Sequence, residues 1–191
     1  MNKKGFTLIE MLTTTAILVV VFGLLALIFG RATTIHKVVR SGGDAENFGI
    51  YLINTIVYGP GINREKGLVG AKPFTLSANT QTDTLTFQGS DGQYVRYILD
   101  GSSVKFNTSA DGAIWPLPVD LKPTWATDRQ LNVLLPGSGF YYYNAAGIQE
   151  ITLNNPIYTV EIILVLKNTL QNPQEAVTLS RRVRVRNQID F

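Results

Sequence analysis

Hydrophobic and polar positions are spread unevenly along this chain. Between Glu10 and Arg31 twenty consecutive residues carry no charge, and no Pro interrupts them. Apolar residues fall on every side of a helix drawn through that run. At 1.5 Å per residue such a helix spans about 30 Å, the thickness of a bilayer's hydrocarbon core. Past residue 30 the pattern changes. Ile35, Val38 and Val39 give a single apolar edge. Ser41-Gly42-Gly43 marks a weak point, because two glycines together cost about 2 kcal/mol of helix propensity, and Asp44 is placed to cap a restart. Phe48, Tyr51, Leu52 and Ile56 then fall at i, i+3, i+4 and i+8. That amphipathic stripe predicts a helix over 44–58 with one face on a sheet. Gly59-Pro60-Gly61 ends it.

The period then drops to two. Thr84–Phe87 alternates, Asp91-Gly92 turns, and Tyr94–Leu99 returns. Asp-Gly between alternating runs is a strong hairpin signal. Asp100-Gly101 turns again into Val104–Phe106, which makes a three-stranded meander. Phe140–Tyr143, a turn at Gly147, Ile148–Leu153, Ile157–Leu166 and Ala176–Arg186 complete the strand signals. Ile157–Leu166 is apolar on both faces, as a central strand is. In the last run Val177, Leu179, Val183 and Val185 read as inward, with Arg182, Arg184 and Arg186 outward. The basic residues Arg181, Arg182, Arg184 and Arg186 read together as a solvated strand face. The pattern predicts an α+β protein: a long N-terminal helix whose outer half packs on antiparallel strands. Residues 107–137 break the alternation, holding four of the eight prolines and both tryptophans. Trp115 and Trp125 there are either contact residues for a partner or anchors of the loop onto its own sheet.

Composition narrows the chemistry. The chain has 191 residues, no Cys, one His and a net charge of +3. Disulfides, thiolate metal sites and a cysteine nucleophile are excluded. So is any site that needs two imidazoles, and His36, just past the apolar run, reads as a solvated or interfacial residue. No GxSxG, Walker A or HExxH string appears. Asp91-Gly92 and Asp111-Gly112 are turn sequences before they are calcium ligands. No cofactor, no metal and no enzymatic activity are expected. The small net charge and the lack of an aromatic platform argue against nucleic acid.

Glu10 is the informative residue at the head of the apolar run. A carboxylate there costs up to about 3 kcal/mol on membrane insertion, so it asks for a reason. A secretory signal has a shorter apolar core and an A-x-A cleavage site, which is missing here. A plain membrane anchor has no need of Glu10. The string Lys3-Lys4-Gly5-Phe6-Thr7-Leu8-Ile9-Glu10 resembles the prepilin leader and cleavage site of type IV pilins and type II secretion pseudopilins. The resemblance implies a leader at 1–5 with basic Lys3 and Lys4, and a cut between Gly5 and Phe6 by the prepilin peptidase. N-methylation of the new Phe6 amine follows by the same enzyme. Glu10 lies at i+4 from Phe6, on the same helix face. In a bundle it can pair with the Phe6 amine of a neighbouring subunit, making a buried charge into a registry device.

The same resemblance implies a membrane-spanning and fibre-core helix at 6–30, an outer helix half at 31–58 and a β-rich globular domain at 59–191. Gly23, Ala26 and Gly30 recur at i, i+3 and i+7 as a close-approach face, or as ordinary membrane-helix composition. Many major pilins carry Pro near position 27, where this chain has Leu, which points to a minor subunit. Strands 80–187 are similar to the body of J-type minor pseudopilins and W-type minor pilins. The implied role is a minor pseudopilin of a type II secretion system, at the tip of a short periplasmic pseudopilus. Its implied partners are other minor and major pseudopilins and the cytoplasmic membrane, with the N-terminus cytoplasmic. The alternatives are a minor type IV pilin serving adhesion, twitching or DNA uptake, and a membrane-anchored binding domain that never assembles.

Overall fold

The computed structural model describes residues 7–75, 83–101, 103–123, 131–133, 136–150, 155–168 and 176–185. At 34, 36–42, 131–133, 167 and 168 the backbone alone is described. The chain divides into two compact units, Met1–Arg40 and Ser41–Phe191. Helix α1, Leu8–Tyr58, is the one α-helix among the described residues. It runs through Ser41-Gly42-Gly43 without the break and Asp44 restart that propensity suggests. A helix once nucleated adds one hydrogen bond per residue, so two weak residues inside a long helix do not stop it.

In the first unit the described residues are all helical apart from Thr7. Leu8–Thr33 is long and apolar enough to cross a membrane, and none of it is buried.

The second unit wraps a stretch of α1 with β-structure. Strands β1 (Thr84–Gln88), β2 (Tyr94–Asp100), β3 (Ser103–Ser109) and β4 (Val119–Asp120) form one antiparallel sheet in that order. The second sheet is built on β7 (Thr159–Asn168). One edge of β7 pairs with β6 (Gly139–Tyr143) and with β5 (Leu131–Val133). Its other edge pairs along nine residues with β8 (Ala176–Arg184). β7 is therefore central, as its two-sided apolar run predicts. Val160, Ile162, Leu164 and Leu166 are buried on one face, and Ile163 and Val165 are half-buried on the other.

The structure departs from the pattern reading in four places. The third strand of the meander runs on to Ser109, paired with β2 as far as Tyr94, and the buried polar Asn107 and Ser109 are satisfied by Pro116 and Asp111 of the segment that follows. Segment 107–137 therefore holds the end of β3 and the short strands β4 and β5. Of the run Ile148–Leu153, Gln149 makes a single bridge to Tyr143, and residues 151–154 lie outside the described residues. β8 ends at Arg184, and Arg186 lies outside the described residues.

A single core joins α1 to both sheets. Phe48, Leu52, Ile53, Ile56 and Val57 bury the predicted helix stripe against residues of β1, β2, β6, β7 and β8. Gly49 permits the approach: a Cβ there would lie 2.3 Å from Cδ1 of both Leu166 and Leu179. Tyr97 fixes the helix end. Its hydroxyl donates to the Lys66 carbonyl at 2.8 Å and lies 3.2 Å from the Thr55 carbonyl. Burial pushes the Tyr97 phenol well above its usual range, so it stays a donor. Gly59, at φ 84°, takes the chain out of the helix with its N–H on the Thr55 carbonyl at 2.8 Å.

Candidate functional site

The helix begins at a reciprocal pair. The backbone N–H and the hydroxyl of Thr7 both donate to one carboxylate oxygen of Glu10, at 2.9 and 3.0 Å. The N–H of Glu10 returns a bond to the Thr7 hydroxyl at 3.3 Å. The Thr7 carbonyl accepts from the N–H of Met11, the first bond of the helix ladder. This is a capping box: a Thr before the helix and a Glu three residues on satisfy each other's free donors. Pattern reading assigned Glu10 a role toward Phe6 and missed Thr7. The signal was legible as Thr-x-x-Glu ahead of an apolar run.

The following hydroxyls spend themselves locally. Thr13 donates to the Ile9 carbonyl at 3.0 Å, Thr14 to Glu10 at 2.6 Å and Thr15 to Met11 at 2.7 Å. After Glu10, the first turns thus present no unspent side-chain donor to an apolar surrounding. The Glu10 side chain itself is exposed. Lys3, Lys4, Gly5 and Phe6 lie outside the described residues.

Gly23, Ala26 and Gly30 sit in the exposed helix. A Cβ added at Gly23 or Gly30 would meet nothing within 4 Å. Packing within the chain therefore gives no reason for glycine at either position, in contrast to Gly49.

Trp115 has a settled local geometry. Its indole N–H donates to the Gly112 carbonyl at 3.0 Å, and the Arg96 guanidinium lies 3.9 Å from its ring centroid. Arg96 donates to the Asn107 side-chain oxygen at 3.2 Å, and the Asn107 amide donates to the Pro116 carbonyl at 3.0 Å. Asp111 closes the turn before it. The N–H groups of Ile114 and Ala113 and the hydroxyl of Ser109 all donate to one of its oxygens. Those bonds, that of Ile114 first, hold the Asp111 carboxyl below its usual range. The ring is half-buried while its neighbours Ile114, Leu117 and Val119 are exposed, Leu117 at 91%. Trp125 lies outside the described residues.

The arginines of β8 are not one solvated face. Strand alternation puts Arg181 on the side of Val183 and Leu179, opposite to Arg182 and Arg184. Arg181 donates to the side-chain oxygen of Asn54 at 2.8 Å and to the Tyr58 hydroxyl at 3.0 Å. Arg182 instead bonds Glu161 across the strands, with Nε 3.1 Å from one carboxylate oxygen. Tyr143 donates to the other oxygen of Glu161. Among the described residues, no group of three His, Cys, Asp or Glu side chains is placed to hold a metal.

Residues 1–26 match the family model described as the prokaryotic N-terminal methylation motif. No curated protein and no solved structure matches the chain. The motif marks precursors of the type IV pilin-like and pseudopilin kind, and it points to a structural subunit rather than an enzyme. It implies processing by prepilin peptidase and assembly into a pilus-like fibre. With the apolar helix Leu8–Thr33, it also supports anchoring in a membrane.

Proposed function

We propose that this chain is a minor pseudopilin of a type II secretion system, cut between Gly5 and Phe6, N-methylated on Phe6 and assembled through its apolar helix. One observation carries most of the reading. Directly after the methylation motif's cleavage string stands a helix whose apolar side chains from Leu8 to Phe29 are exposed, and whose glycines are not explained by packing within the chain. A helix apolar all round needs surroundings of lipid or of like helices. The capping box adds a detail to the role of Glu10. Before assembly its charge is held by Thr7; in a bundle the same carboxylate can turn to the Phe6 amine of a neighbour.

Leu27 in place of Pro supports a minor subunit. The N-terminus then lies in the cytoplasm behind Lys3 and Lys4, and residues 31–191 lie outside the cytoplasmic membrane. Trp115 is pinned to its own sheet, and the exposed Ile114, Leu117 and Val119 beside it offer the contact surface. Intact-mass analysis of the native protein tests the reading. A mature chain beginning at methylated Phe6, lost in Gly5→Ala, is expected; a native chain that keeps Met1 overturns it. Co-purification with a secretion channel rather than with an adhesive or DNA-uptake pilus separates the pseudopilin from a minor pilin.

A further inference from the structure

The last strand carries a feature that stands apart from the fibre reading. β8 pairs with β7 from Ala176 to Arg184 and with no other strand among the described residues. Among the described residues its far edge, nine residues or about 30 Å of backbone, therefore has no strand partner. Sheet edges are commonly protected by brevity, by Pro, by a bulge or by a covering element. β8 is long, has no Pro and keeps an unbroken register.

Two further observations say what fits there. First, the strand holds Arg181, Arg182 and Arg184 and no acidic residue. Arg182 has its carboxylate in Glu161. Arg181 is held by two neutral acceptors, and Arg184 is exposed with no carboxylate in ion-pair reach among the described residues. Second, the helix beside the strand offers a ledge. Ile50, Asn54 and Tyr58 follow one another at i, i+4 and i+8, on one row of α1. Asn54 and Tyr58 bond Arg181 directly, and Gly49, next to Ile50, packs on Leu179 of β8. Ile50 and Tyr58 are exposed at 44% and 37%.

We infer that the open edge of β8, with the Ile50–Asn54–Tyr58 row beside it, is a docking site for an extended acidic segment of a different polypeptide, added to this four-stranded sheet as a fifth strand. Backbone bonds to the β8 edge supply affinity in such augmentation, and alternate side chains supply choice. Inward side chains of the guest would rest on Ile50 and Tyr58. Its carboxylates, on the opposite face, would meet Arg184. A second copy of this chain is the poorer guest, because its β8 brings three more guanidinium groups and no acid.

The test uses the full chain in detergent micelles with two nine-residue peptides, one alternating Glu and Val and one alternating Lys and Val. The acidic peptide is expected to bind with an affinity that falls with salt and to slow amide hydrogen exchange within 176–184. Arg184→Glu, at an exposed position, should weaken it at least about tenfold with unfolding unchanged, and Arg184→Lys should largely restore it. Equal binding of both peptides, or binding without slowed exchange in β8, overturns the inference. So does a homodimer whose formation protects the same amides. So does exchange in β8 that is slow without peptide and becomes fast when residues 187–191 are removed, since the chain's own tail would then cover the edge.

Discussion

Two stretches of one helix behave in opposite ways. From Leu8 to Thr33 the helix is apolar all round and wholly exposed; from Ala45 to Val57 it is apolar on one stripe and that stripe is buried. Leu24 is 56% exposed and Leu52 is fully buried. Both are leucines in regular helix, so propensity does not tell them apart. The difference teaches that the second stretch finishes its folding within the chain and the first does not. The first leaves its burial to a bilayer or to other helices. The glycines repeat the lesson: Gly49 is explained by Leu166 and Leu179, while Gly23 and Gly30 touch nothing that a side chain would displace.

The widest gap should open between Leu52→Ala and Leu24→Ala. Denaturation of the full chain in micelles is expected to show a loss of about 2–5 kcal/mol for Leu52→Ala. For Leu24→Ala a change within about 0.5 kcal/mol is expected, as for other surface positions. Equal losses would erase the contrast. Gly49→Val against Gly23→Val comes next. The first must push two leucine tips aside and should lose about 1–3 kcal/mol. The second should leave unfolding unchanged and lower fibre yield, measured by cross-linking in membranes; a normal yield would leave Gly23 as ordinary membrane composition.

Tyr97→Phe removes the hydroxyl that ties the helix end to the Lys66 carbonyl and should lose about 1 kcal/mol in the same unfolding assay. The smallest effect concerns pH. The hydrogen bonds from Arg182 and then Tyr143 hold the Glu161 carboxyl below its usual range. A depressed folded-state value means stabilisation that is complete above the ordinary carboxylate range and is lost as pH falls through the folded value. Glu161→Gln should therefore lose a little stability at neutral pH, match the parent chain in acid, and so flatten the acid limb of the stability curve slightly. A steeper acid limb in the variant would contradict the assignment.

Much of this was legible beforehand because it depends on local order. The apolar run, the stripe at Phe48, Leu52 and Ile56, the Asp-Gly hairpins and the central strand each announce themselves through a period or a turn residue. The misses share a cause. Ser41-Gly42-Gly43 stays helical because cooperativity of the whole helix outweighs two local propensities. The buried polar ends of β3, Asn107 and Ser109, find Pro116 and Asp111 in an irregular segment, and Arg181, inward by strand alternation, finds Asn54 and Tyr58 on the distant helix. Thr7 was overlooked although its Thr-x-x-Glu spacing was in plain view.

By itself, then, the sequence determined the methylation motif at residues 1–26, the charge at Glu10, the length of the apolar helix and the kinds of strand that follow. These are properties of neighbours in the chain, where spacing is set by covalent geometry. Tertiary structure alone decided that Gly49 is a contact and Gly23 is not, that Trp115 is stacked on Arg96, and that among the described residues β8 pairs with β7 alone. Those facts depend on which distant segments meet, and that is fixed by the shared burial of apolar faces rather than by any single run of residues.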